Sequence, residues 1–459
     1  MRCFPYLARS GLRLAARLFT GPAAEPALCL AQGLDRLGTR AGRGGLLLGA
    51  LLIAALPAWG RDLWTSDAGE EAGVWKLDTA FKATGLDAAP PSGSDPFSAG
   101  GTNVGLLRLR LDTSYRSGAW TFDAAYDNRW ASSTGLSLGL SSALPANTPA
   151  PFRISQVGGV AARSGNTVDY YELDRAFAAH NGKSVDVTVG RQAIGWGRGV
   201  LFSAVDIFAP FAPLQVDQEW RRGVDAANVD VKLSDTSSAQ VVSAFGPNWD
   251  QSALGARLRG YLGSIDAEIL VAKRAEDTMY GLTSSAALGN AEVHGEFAVF
   301  QTPGDVPDTG FGGNPSLVPK AVLGVSNNFL WGNGLKVAAE YHYSGFGAAS
   351  PSGMAALLAN PAFQKRLIRG DTQILGRQAL GMQGSSQFNT SWSGSLLLLQ
   401  SLIDPSGVVV PAAVWDLSDS VSLLGTMFQS YGAGLHRQAF QSQFGYVPTT
   451  VILQLRVYD

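Results

Sequence analysis

Between residues 104 and 130 the chain changes chemical character at almost every step. Leu107, Leu109, Leu111, Thr113 and Tyr115 share one parity, and Arg108, Arg110, Asp112 and Ser114 take the other. After the break Arg116-Ser117-Gly118 the pattern resumes. Trp120, Phe122, Ala124 and Tyr126 now alternate with Thr121, Asp123, Asp127 and Arg129. Side chains of a strand point to opposite faces in turn, so this hairpin has one apolar and one charged face. A sandwich strand with one solvated face also alternates. What separates the two folds is recurrence: the pattern returns along most of the chain, with tight turns alternating with long Gly-, Pro- and Asn-rich loops. That is the signature of an outer-membrane β-barrel, with apolar residues against lipid and polar ones in the lumen. On this reading Leu109 and Phe122 face lipid. Arg108, Arg110, Asp112, Asp123, Asp127 and Arg129 face the lumen, where Arg110→Leu would leave folding largely intact.

The expected fold is therefore all-β, a transmembrane antiparallel β-barrel. Alternating segments begin near residues 75, 104, 119, 168, 184, 224, 239, 253, 265, 279, 291, 320, 335, 378, 392, 408, 420 and 448. That makes about 18 strands, with 16 as the other even count, and an even count puts both ends of a barrel on the periplasmic side. Short periplasmic turns are predicted at Gly118, Gly182, Gly263, Gly289-Asn290, Gly332-Asn333-Gly334 and Ser418-Asp419. Long extracellular loops are predicted at 83–103, 131–167, 194–222, 301–318, 345–376 and 431–447, with a short helix between Met354 and Ile368.

Composition agrees with a wall that must satisfy lipid and water together. Only 16% of the 459 residues are charged, and 55 glycines supply turns. No stretch after residue 60 approaches the roughly 18–20 apolar residues of a membrane helix, so any crossing is made by strands. Residues 1–60 read as a signal peptide with an unusually long basic start. Arg40 and Arg43 precede the apolar run Leu46–Leu56, and Ala58-Trp59-Gly60 offers small residues at the two positions a signal peptidase reads. Residues 61–73 form a periplasmic lead-in, and 74–459 the barrel. Cys3 and Cys29 both lie in the export segment, which excludes disulfides and thiolate chemistry from the rest. Removing residues 1–60 takes away seven arginines and two acids and leaves 28 basic against 35 acidic side chains, a balance that excludes a basic nucleic-acid binder. The expected partners are outer-membrane lipid, lipopolysaccharide and the barrel-assembly machinery. The last point rests on Val451–Asp459, which resembles the C-terminal assembly signal of outer-membrane proteins, with its aromatic, Tyr458, one place from the end.

The densest stretch runs from Val189 to Asp225. Arg191, Arg198, Arg221 and Arg222 mix there with Asp206, Asp217, Glu219 and Asp225, among Trp196, Phe208, Phe211 and Trp220. A glycine run followed by Phe208-Ala209-Pro210-Phe211-Ala212-Pro213 cannot be regular strand. At membrane depth irregular backbone survives only where protein buries it or water reaches it. This stretch is the candidate for a loop folded into the lumen. Arg191, Trp196, Arg198, Asp206, Asp217, Glu219, Arg221, Arg222 and Asp225 are the candidate constriction residues. The competing reading of these charges is a salt-bridge lattice that only braces the wall.

The string GRQAIGWGRG (190–199), the loop after it and the re-entry Arg221-Arg222-Gly223-Val224-Asp225-Ala226 resemble bacterial outer-membrane porin-like barrels of the alginate-export type. Tyr171–Phe177 resembles the paired strand of that family. The resemblance covers residues 168–231. It implies an 18-stranded channel with charged residues lining a constriction, and it carries no substrate with it, because the family's many arginine positions have no counterpart here.

Two histidine clusters complete the inventory. Glu292, His294 and Glu296 share one face, as do Glu340 and His342, and both faces are assigned to the lumen. Such spacing is what any water-filled lumen supplies, so no metal and no cofactor is expected. His342 and Ser344 stand two apart, as a base and nucleophile of an outer-membrane phospholipase-like enzyme would. Gly345 replaces that family's asparagine, and the parity points to the lumen instead of lipid. The sequence thus reads as a non-enzyme: a porin-like channel of the bacterial outer membrane for passive passage of small hydrophilic solutes or saccharides. The alternative is a non-conducting structural or assembly-partner barrel plugged by its loops.

Overall fold

A computed structural model describes residues 64–65, 73–89, 101–134, 150–303, 314, 316–436 and 439–459. The chain divides into compact units 1–61 and 62–459, and the described residues belong to the second. The segment 1–60, expected to be a signal peptide, and most of the expected 61–73 lead-in lie outside them. Of the lead-in, Trp64 and Thr65 pair with Trp75 and Val74.

Alternation becomes one antiparallel sheet that closes on itself. Its strands are β1 (Val74–Ala89), β2 (Thr102–Ser117), β3 (Trp120–Ser133), β4 (Thr167–Asn181), β5 (Val185–Gln192) and β6 (Val224–Lys232). They continue as β7 (Ser238–Ala244), β8 (Ala253–Leu262), β9 (Ile265–Arg274), β10 (Asp277–Leu288), β11 (Ala291–Gln301) and β12 (Leu317–Phe329). The ring is completed by β13 (Leu335–Ser344), β14 (Gln378–Gln387), β15 (Trp392–Ser401), β16 (Gly407–Ser418), β17 (Val421–Tyr431) and β18 (Thr449–Tyr458). Each pairs with its chain neighbours, and β18 pairs with β1 from Ala80↔Tyr458 to Ala89↔Thr449, which closes an 18-strand barrel. Closure leaves no open edge, the condition for strands to cross a bilayer. The extra strand Gly158–Ser164 lies beside the upper half of β4, above β5.

The wall differs from expectation in a few places. β1 runs to Ala89, so strand replaces loop at 83–89. Leu86 and Ala88 keep the alternation going past Gly85 by burying themselves inside. Residues 131–133 extend β3 by pairing with Leu106, Gly105 and Val104 of β2, and His180 lies within β4 instead of a turn. Two helices, α1 (Pro351–Ala359) and α2 (Pro361–Arg369), stand where one was expected. Asn360 divides them: its extended backbone ends α1, and its side chain accepts from the amides of Ala362 and Phe363 to start α2. Pro361 is tolerated in the first turn, where no helical N–H is missed.

The two faces of the wall are chemically opposite. Leu258, Ile269, Tyr280, Leu282, Leu323 and Leu396 are exposed outward, while their inward neighbours Glu268, Leu270, Val322 and Leu397 are covered. A continuous apolar exterior of this kind is matched to lipid, not water. Near the short turns Trp75 and Tyr115 lie 4.8 Å apart, with Phe122 and Trp120 stacked beyond them. Trp392 stacks on Trp415 at 5.3 Å. Amphipathic rings at this level form the belt expected at a membrane surface.

Candidate functional site: the inward loop

Residues 193–223, between β5 and β6, make no strand and lie inside the barrel. The course can be followed contact by contact. Trp196 donates its indole N–H to Gln240 on β7 (2.9 Å) and meets Phe208 edge-on at 5.0 Å. Arg198 pairs with Asp266 (2.9 Å) and Glu268 (3.3 Å) on β9 and donates to the hydroxyls of Thr283 and Ser285 on β10. Beyond Ser203 the chain turns back: Arg221 pairs with Asp206, and Gln373 donates to the carbonyl of Phe211. Asp217 accepts from Lys82 on β1 (2.9 Å) and Arg108 on β2 (3.1 Å). Glu219 accepts from Lys82 (2.5 Å) and from the hydroxyl of Tyr458 on β18 (2.8 Å). Arg222 reaches Glu172 on β4 at 3.5 Å. The loop therefore touches the wall at β7 through β13 and again at β18 through β4.

Irregular backbone in such a place must find partners for its amides. Over 198–205 every amide does. Arg198, Gly199, Ala204 and Val205 donate to the carboxylate of Glu296 on β11. Val200, Leu201 and Phe202 donate to Glu340 on β13, and Ser203 donates to the side chain of Gln373.

The wall opposite carries a lattice of buried charge. Arg108 pairs with Asp127 (2.5 Å), and Arg110 with Asp174 (2.9 Å) and Asp112 (3.2 Å). Arg129 pairs with Glu172 at 2.8 Å, and Arg153 bridges Glu172 and Asp174 at 3.2 Å each. Trp220 of the loop packs beneath two of these arginines and Lys82, with Lys82 Nζ 4.0 Å, Arg108 4.8 Å and Arg110 5.1 Å from its ring centre. Burial works to raise the pKa of Asp217, and the charges of Lys82 and then Arg108 outweigh it, so the carboxyl sits below its ordinary range.

The nine candidate constriction residues are thus not one cluster. Trp196 and Arg198 lie against β7–β10, and Asp206 with Arg221 forms the return. Asp217, Glu219 and Arg222 join the lattice on β1–β4. Arg191 and Asp225 stand apart as a cross-strand pair (2.6 Å) at the loop end, where Arg191 also donates to the carbonyls of Leu173 and Ser155. Of the residues assigned to the lumen, Arg108, Arg110, Asp127, Arg129, His294, Glu296, Glu340 and His342 are buried inside. Asp112 and Asp123 are half-buried, and Glu292 is exposed beside the Gly289 turn. His294 bonds Glu340 at 2.8 Å. His342 stacks on Phe202 at 4.6 Å, and with Ser344 it is fully buried on the inner face, away from lipid. Sequence reasoning missed Lys82, Arg153, Glu172, Asp174, Asp266, Glu268 and Gln373 as partners. Lys82, Asp266 and Glu268 were visible as polar residues of their strands, but nothing local says what they meet.

A cavity of about 660 Å³ remains between the loop and the wall of β12–β18. Leu201, Leu214 and Val216 of the loop face Leu397, Val410 and Phe428, while Gln383, Ser385, Ser395 and Thr426 supply amides and hydroxyls. Among the described residues its charged lining is Lys336 and Arg456, both basic, with no acid.

Comparison with family models and with curated proteins finds no match. Among solved structures the chain is similar to barrels. OccAB4 of Acinetobacter baumannii is 8% identical over 84% of this chain and 98% of its own, with a TM-score of 0.49. The outer-membrane protein OpdK of Pseudomonas aeruginosa (9%, 84% and 98%, TM-score 0.46) and a BenF-like porin of Pseudomonas fluorescens (7%, 84% and 98%, TM-score 0.47) are similar to the same extent. No solute is carried over at that distance. The functional reading rests on the geometry of this chain.

Proposed function

We propose that the protein is a porin-like channel of the bacterial outer membrane for passive passage of small hydrophilic solutes, saccharides among them, with residues 193–223 as its constriction. The observation that carries this reading is the inward loop lying along the wall and leaving a cavity rich in amides and hydroxyls beside it. Pores select by width and by the charge and hydrogen-bonding groups that line them, and this arrangement supplies all three. The resemblance of residues 168–231 to alginate-export barrels supports the same placement of the loop and adds no substrate. Lipid and lipopolysaccharide would contact the apolar exterior.

Purified protein in a planar bilayer should produce stepwise conductance. Replacing Arg221 and Arg222 with Ala should move the reversal potential under a salt gradient toward cations, because Asp206 and Glu172 then lose partners. Asp235→Ala, in a short turn away from the loop, should leave it unchanged. One observation favours the non-conducting alternative. Phe202, Ile207, Phe208, Phe346 and Phe444 are all buried in one apolar cluster inside the barrel. An electrically silent bilayer containing folded protein would select that reading.

A further inference from the structure

We infer that Glu296 and Glu340 are the positioning residues that set the aperture of the channel, by docking segment 198–205 onto the inner wall; this rests on the channel reading above. The two carboxylates, 2% and 0% exposed, take seven of the eight consecutive amides of that segment. Glu296 also accepts from the hydroxyl of Ser203 at 3.0 Å. Among the described residues its hydrogen bonds come from the loop, so the buried carboxylate loses them all when the loop undocks. Undocking would strand the carboxylate, and removing the carboxylate would strand five donors. Glu340 is held in place by His294 at 2.8 Å, which leaves its other oxygen to Leu201 (2.9 Å) and Phe202 (3.0 Å).

The loop is shaped for this contact independently of the hydrogen bonds. A Cβ on Gly197, whose φ is +108°, would stand 2.7 Å from Glu296 Oε1, and one on Gly199 would stand 1.8 Å from the carbonyl oxygen of Phe202. Only glycine lets the backbone come that close. Both oxygens of each glutamate act as acceptors, which a carboxylate can do and an amide cannot. In Glu296→Gln or Glu340→Gln, whichever way the amide is turned, an NH2 faces backbone N–H groups. The substitution keeps the shape of the side chain and breaks the dock.

The test uses a reporter cysteine in place of Ala204, which is buried, and a membrane-impermeant maleimide, alongside single-channel conductance. Glu296→Gln and the double variant should raise the labelling rate at least tenfold and change the unit conductance, with the heat-dependent gel shift of a folded barrel retained. Asp186→Asn, which removes a carboxylate paired to Lys232 near a short turn, should change neither. Gly199→Ala attacks the same contact from the loop side and serves if the glutamate variants do not fold. Unchanged labelling in a folded Glu296→Gln or Gly199→Ala protein overturns the docking role. Faster labelling with unchanged conductance, in a protein whose wild type conducts, overturns the aperture alone. A silent wild type sinks the channel reading and the aperture with it, while labelling still judges the dock.

Discussion

Leu109 and Arg110 are adjacent in the chain and meet opposite surroundings. Leu109 faces outward, so Leu109→Arg near the membrane midplane should cost about 2–4 kcal/mol. Sequence parity treats Arg110 as a solvated lumen residue and predicts that Arg110→Leu is tolerated. The structure reverses that expectation. Arg110 is 2% exposed and pairs with Asp174 and Asp112, so its loss takes one of three cations from the buried Asp174 and the paired cation from the half-buried Asp112. Removing one partner of a buried pair costs about 3–5 kcal/mol, toward the lower end here because Arg153 and Arg175 also reach Asp174. Equilibrium unfolding in lipid or detergent should therefore show both variants destabilised, and a neutral Arg110→Leu would mean the lattice is hydrated. The parity of these two residues was legible in the sequence. The burial of Arg110 was not, because it depends on Asp174 and Trp220, which come from segments far along the chain.

Among the elements, α2 and the turn after it are docked to the β9–β10 turn by charge. Arg366 pairs with Asp277, Arg369 with Glu276 at 2.6 Å, and Arg274 with Asp371 at 2.8 Å. Beneath them Met354, Leu357 and Phe363 pack with Phe440. Arg366→Ala would leave Asp277, which is almost wholly buried, with only a distant contact to Arg369. Hydrogen exchange over 351–369 should then speed up while the strands stay protected, since local opening does not require the ring to open. The Arg369–Glu276 pair also has a pH sign. Burial would raise the pKa of Glu276, and the hydrogen bond and charge of Arg369 outweigh it, so the folded value is depressed. Stabilisation from a depressed carboxyl is present above its unfolded value and is lost as pH falls through the folded one. Exchange in α2, corrected for its intrinsic rate, should be flat from neutral pH down to about 4.3 and rise only below that. A rise beginning near pH 6 would show that Glu276 is not the group responsible. The helices themselves were foreshadowed by the apolar spacing of 354–368. The break between them turns on Asn360 capping its own successor, a local signal that periodicity does not register.

For the whole molecule, closure of β18 on β1 satisfies the last backbone edge. Such a barrel should resist detergent until heated, so unboiled and boiled samples should migrate differently, and circular dichroism should be dominated by strand. Identical migration, or a helical spectrum, would be incompatible with the ring. The strand number, six of the short turns and the faces of residues such as Leu109 and Arg110 could be read from the sequence, because a strand between lipid and lumen imposes its period of two residue by residue. The short turns at 233–237 and 388–391 were not among those predicted. The inside could not be read that way. Lys82 meets Asp217 across 135 positions, and Ala204 donates to Glu296 across 92. Local pattern showed that the glycine run and Phe208–Pro213 cannot be regular strand, and that such backbone at membrane depth must be buried or wetted. Only the closed ring decides where residues 193–223 go, because the wall carboxylates that receive their amides are brought to one place by strands whose order in space is complete only when the barrel shuts.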